Sequence, residues 1–88
     1  MNYLFVHHRV QDFPQWKVVY DEHLPKRQQA GVKEVHLWHA DQDANDVTLL
    51  FEANDLPKAK EFAESADLGQ IMPKAGVIGK PDVLYLKD

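Results

Sequence analysis

The sequence contains no cysteine. That absence excludes disulfides, thiolate nucleophiles and thiolate zinc sites together. Ser65 is the only serine, and it falls near the end of an expected helix with no base beside it, which leaves serine-type nucleophilic catalysis unsupported. Glycine is scarce at four residues, and Gly76 and Gly79 in AGVIGKP have neither the spacing nor the preceding strand of a phosphate-binding loop. They read instead as a helix stop and a turn. Positive charge is also short: 10 Lys and Arg stand against 14 Asp and Glu, a formal net charge of −4. Nucleic acid and anionic membrane surfaces are therefore not expected partners. No apolar run approaches the roughly 20 residues of a membrane span, and the start MNYLFVHHRV has no basic segment leading into an apolar one. The expectation is a soluble cytoplasmic protein with no signal peptide.

What is present is ordinary for a folded domain. The 88 residues are 44% hydrophobic and 27% charged, which predicts one domain over residues 1–88. A chain of this length buries only roughly 60 to 65% of its unfolded surface, so a second copy would add stability.

Tyr3 to Val10 alternates Leu4, Val6, His8 and Val10 against Tyr3, Phe5, His7 and Arg9, the period of a strand. Asp12 then offers a cap oxygen and Pro14 fits a first helical turn, while Phe13, Trp16, Val19, Tyr20 and Leu24 recur at helical spacing. Pro25 predicts a kink before KRQQAG resumes the helix and Gly31 ends it. Val32 to Ala40 alternates again, DQDAND reads as a polar link, and Val47 to Ala53 as the next strand. Asn54 or Asp55 caps a second helix carrying Leu56, Ala59, Phe62, Ala63 and Ala66, and a shorter segment with Leu68, Ile71, Met72 and Ala75 stops at Gly76. A last strand is predicted from Pro81.

The order β-α-β-β-α-β is that of a ferredoxin-like α+β fold, with the helices on one face of a four-stranded antiparallel sheet. The other face still offers Tyr3, Phe5, Trp38 and Leu50, with either Val83 and Tyr85 or Leu84 and Leu86. A sheet face this apolar predicts a homodimer in which two sheets pack together.

The runs HHRVQDFPQWKVVYDEH, VTLLFEANDLPKAKEFAES and LGQIMPKAGVIGKPDVLYL resemble the dimeric α/β-barrel proteins related to the antibiotic biosynthesis monooxygenases, especially an uncharacterised, cyclase-like branch. The resemblance covers almost the whole chain, and its motifs specify fold more than chemistry. It implies a ligand-sized cavity between sheet and helices or within the barrel lumen, with cofactor-independent oxygenation, cyclisation or isomerisation among the family's reactions.

Two functions of different class follow. One is a cofactor-independent enzyme acting on a small apolar or aromatic molecule, with His8, Tyr20 and His23 as acid/base groups and Trp16 shaping the pocket. The other is a non-catalytic dimeric ligand-binding or accessory module in which the same residues are structural, His8 bonding a carbonyl and the Trp16–Tyr20–His23 ridge simply packing the core. The alternation of the first strand puts Leu4, Val6, His8 and Val10 under the helices and sends His7 and Arg9 to the barrel side. There Arg9 would bind a carboxylate or enolate and His36 would assist proton transfer beside Trp38, or else His7 and Arg9 pair with Glu34 or Glu52 across the strands. Glu34, His36 and Trp38 are expected on one face, and His39 at the surface. No helical pair of histidines has metal-ligand spacing, so no metal is expected, and nothing singles out an axial histidine and apolar slot for haem; no cofactor is expected.

Overall fold

The alternation of the first residues becomes β1 (Asn2–Val10) in a computed structural model that describes Met1–Asp88 throughout. It is followed by α1 (Phe13–Glu22), α2 (Leu24–Gln29), β2 (Val32–Ala40), β3 (Asp43–Ala53), α3 (Leu56–Ala63), α4 (Ala66–Lys74) and β4 (Val77–Lys87). The strands form one antiparallel sheet in the order β2-β3-β1-β4, the ferredoxin-like arrangement. No helix is long and apolar enough to cross a membrane.

Three of the four helices, α1, α3 and α4, begin where a short polar side chain replaces a missing helical acceptor, whereas α2 starts at His23 without a side-chain cap. Asp12 accepts from Gln15 N at 3.5 Å, Asp55 from Lys58 N at 3.2 Å, and Ser65 Oγ from Leu68 N at 3.2 Å. Ser65 is thus the joint between α3 and α4, and its hydroxyl also donates to the Phe62 carbonyl. The break predicted at Pro25 falls at His23, which separates α1 from α2. Gly31 and Gly76 end α2 and α4 at φ 70° and 84°, a region that costs other residues a Cβ clash.

Three stretches depart from the sequence reading, each because pairing overrides local composition. DQDAND is not a link: β3 starts at Asp43, so the hairpin turns on Asp41 and Gln42 alone. The last strand starts at Val77 instead of Pro81, and Gly79 (φ 70°) sits in an irregularity where β4 gains residues against His7–Arg9 of β1. That irregularity, on an edge strand, is where a proline is tolerated. A bulge at Val35 separates Glu34, paired with Phe51, from His36, paired with Leu50. Glu34 therefore turns to the helix side while His36 and Trp38 remain on the open side, and the expected common face does not form.

The buried core lies between helices and sheet, built on Leu4, Val10, Trp16, Val47, Leu49 and Phe51. Only 13 of 88 residues are buried, because the opposite sheet face is uncovered in the single chain. On that face Trp38, Ile78, Leu84 and Leu86 are 40 to 53% exposed, while Val83 and Tyr85 pack toward the helices.

Candidate active site

Trp16, Tyr20, His23 and Arg27 follow one another at helical spacings of four, three and four, so they form a continuous ridge across the α1–α2 break. Leu4, Val6 and His8, alternate residues of β1, face that ridge from the sheet. Between them, closed on the outer side by Leu68, Ile71 and Met72 of α4, lies a cavity of about 90 Å³. Fifteen of its 18 lining residues are hydrophobic, and the exceptions are His8, His23 and Arg27. Apart from the Tyr20 hydroxyl, the polar groups of the lining are therefore three cationic or potentially cationic side chains.

His8 is the most exceptional of them. It is 7% exposed, its ring stands edge-on to Trp16 at a centroid distance of 5.6 Å, and neither Nδ1 nor Nε2 has a hydrogen-bond partner. Burial, with a smaller effect of neighbouring His7, pushes its pKa down to about 4, so the imidazole is neutral at pH 7. A neutral imidazole carries one donor and one acceptor, and leaving buried polar atoms unpaired costs about 1–3 kcal/mol.

The remaining polar tips are engaged. Tyr20 stacks on Trp16 at 4.8 Å and its hydroxyl donates to Glu34 Oε1 at 2.7 Å. Burial and that carboxylate raise the phenol's pKa, so the hydroxyl stays protonated. The Val35 bulge is what brings Glu34 to this side. His23 stacks on Phe62 and its Nε2 lies 3.2 Å from Asp67 Oδ2, linking the α1–α2 break to the first turn of α4. Arg27 is 6% exposed, its guanidinium carbon lies 3.7 Å from the centre of the Tyr20 ring, and Nη1 donates to the Tyr20 carbonyl at 2.6 Å. Burial lowers its pKa.

Of the residues proposed from the sequence, His8, Trp16, Tyr20 and His23 meet in this cavity. His7, Arg9, His36 and Trp38 do not: they lie on the opposite sheet face. There His7 Nε2 bonds Asp46 Oδ1 at 2.5 Å and Nδ1 approaches Asp82 at 3.5 Å, while Arg9 pairs with Asp43 at 2.5 Å. These partners replace the expected Glu34 and Glu52, because β3 extends far enough to present Asp43 and Asp46. His36 stacks on Trp38 at 4.7 Å, and His39 is exposed as expected. No group of three or more His, Asp or Glu side chains is arranged to hold a metal ion. Arg27 is a polar member of the site that the sequence reading passed over, and Glu34 is one that it placed on the opposite sheet face. Arg27 was detectable as the residue four beyond His23 on the same stripe, whereas Glu34 depends on a bulge with no local signature.

No family model matches the chain, and no curated protein matches it. Solved structures share its fold. A Bordetella bronchiseptica protein provisionally named an antibiotic biosynthesis monooxygenase aligns at TM-score 0.79 and 16% identity, covering 99% of this chain and 95% of its own. A Nitrosomonas europaea protein with the same provisional name aligns at TM-score 0.71 and 12% identity, covering 100% and 98%. An uncharacterised NIPSNAP domain protein of Burkholderia xenovorans aligns at TM-score 0.67 and 12% identity, covering 100% and 94%. At such identities the likeness is one of fold, the one shared with the antibiotic biosynthesis monooxygenase structures.

Proposed function

We propose that the chain binds a small apolar or aromatic molecule in the cavity between helices and sheet and, as a homodimer joined through the open sheet face, performs proton-transfer chemistry on it without a cofactor. The observation that carries this reading is His8, a buried imidazole with both nitrogens unpaired in an otherwise apolar chamber. A group kept there at an energetic penalty is better explained by a partner that arrives than by packing. The bound molecule supplies the missing donor or acceptor, and its hydroxyl or enolisable C–H is the proton that His8 takes up and returns. Negative charge developing on the ligand favours the imidazolium beside it, which offsets the low intrinsic basicity.

The cavity is smaller than the ~150 Å³ apolar chamber known to accept benzene, so a ring-sized ligand requires α4 to move outward. Support for this comes from α4 itself, which has no buried residue. The open sheet face, with Trp38, Leu84 and Leu86 exposed, supports the homodimer.

A second reading, ligand binding without turnover, draws on the engagement of Tyr20 by Glu34 and His23 by Asp67, which leaves one free base. Phenylacetone in D₂O distinguishes the two. Catalysis predicts exchange of its α-protons, detected by NMR, that is lost in His8→Gln while phenol still binds. Phenol binding with no exchange above buffer selects the binding module, and failure of phenol to bind contradicts both.

A further inference from the structure

Arg27 has a feature that the cavity reading leaves unused. The residue is buried, yet it forms no ion pair, and its one hydrogen bond goes to a backbone carbonyl. Asp21 and Glu34 are near enough to influence its charge, but neither lies in ion-pair contact, and Glu34 is occupied by the Tyr20 hydroxyl. Stacking on Tyr20 compensates part of the desolvation. It does not supply the planar acceptor pair that a guanidinium fork binds best. Arg27 also lines the cavity, in which His8 is likewise unpartnered and Trp16 and Tyr20 stack in sequence between the two.

Building on the cavity as a ligand site, we infer that its natural ligand is a small organic carboxylate: a compact apolar or aromatic body lying along Trp16 and Tyr20, with its single carboxylate held by Arg27 and its reacting end toward His8. The carboxylate provides the counter-ion that the buried guanidinium lacks, and the apolar body matches the lining. Arg27 would then select ligands by charge, while His8 acts on the end that carries the transferable proton. The bond from Nη1 to the Tyr20 carbonyl, which also accepts from His23 N at the α1–α2 break, fixes the fork in place and leaves its other N–H groups for the ligand.

Calorimetric titration with benzoate and its neutral analogue benzamide at pH 7.5 tests the assignment. The wild-type chain is expected to bind benzoate at least tenfold more tightly than benzamide. Arg27→Met, which keeps the length and packing over Tyr20, is expected to abolish that preference while binding benzamide within threefold of wild type, and Arg27→Lys to retain part of it. Equal affinity for the two compounds in the wild-type chain, or a preference that survives in Arg27→Met, overturns the charge assignment. Should Arg27→Met fail to fold, the wild-type comparison decides alone. Phenol separates this from failure of the cavity reading: phenol binding without benzoate preference overturns only the carboxylate, whereas failure of phenol to bind overturns the cavity reading and the carboxylate with it.

Discussion

His7 and His8 are neighbours in the chain whose imidazoles stand on opposite faces of one sheet, the first hydrogen-bonded to Asp46 and Asp82, the second buried beside Trp16 with no partner. Strand geometry makes this separation unavoidable, and it gives the two rings opposite electrostatic fates. The carboxylates of Asp46 and Asp82 raise the pKa of His7, and burial lowers that of His8. One ring serves the sheet surface and the other is held in reserve.

That reserve has a thermodynamic signature. Replacing His8 with Phe removes two buried unpaired nitrogens and leaves an aromatic ring of similar shape against Trp16, so the ligand-free protein is expected to gain about 1–2 kcal/mol. The midpoint of urea unfolding should rise while phenol binding is lost. A destabilised variant would mean that His8 is already satisfied in the native state.

The pH dependence follows from the same group. Between pH 6.5 and about 4 the unfolded chain takes up a proton at His8 that the folded chain refuses, so stability is full above 6.5 and falls as the pH drops toward 4. The size is on the order of 3 kcal/mol for a group this buried. His7 works in the other direction, its contribution present below pH 6.5 and lost as the pH rises through its raised value, but it is exposed enough for the effect to be small. Unfolding measured at pH 7 and at pH 4.5 in the wild-type and His8→Phe chains isolates the His8 part: the acid-side loss should be markedly shallower in the variant. Equal losses would place the acid sensitivity elsewhere.

Much of the site was legible because it rests on simple periods. The alternation of Leu4, Val6, His8 and Val10 placed His8 under the helices, and the spacing of Trp16, Tyr20 and His23 put those three on one stripe. Arg27 escaped because Pro25 marked a break, although the stripe runs through it. The departures came from residues inserted into strands: Val35 puts Glu34 on the opposite face from His36, and the Gly79–Pro81 irregularity lets β4 begin four residues before Pro81. A single inserted residue flips a side chain's face, and nothing in the local composition announces it.

The open sheet face gives a separate test. Leu84 is 53% exposed beside Leu86 and across from Phe5 on β1. Leu84→Lys places a charge at the centre of the proposed dimer contact, and desolvating it there is strongly unfavourable. Sedimentation is expected to find the wild-type chain at twice the chain mass and the variant as a monomer. A wild-type chain that sediments as a monomer at micromolar concentration contradicts the pairing of sheets.

The central claim is that His8 is a neutral, unpartnered imidazole waiting for a ligand, and the nitrogen resonances of its ring report this most directly. In the ligand-free protein they should titrate with a midpoint near pH 4. At pH 7 they should shift on addition of phenol as a hydrogen bond forms. A midpoint near the ordinary 6.5, with resonances that phenol leaves unmoved, would contradict the account.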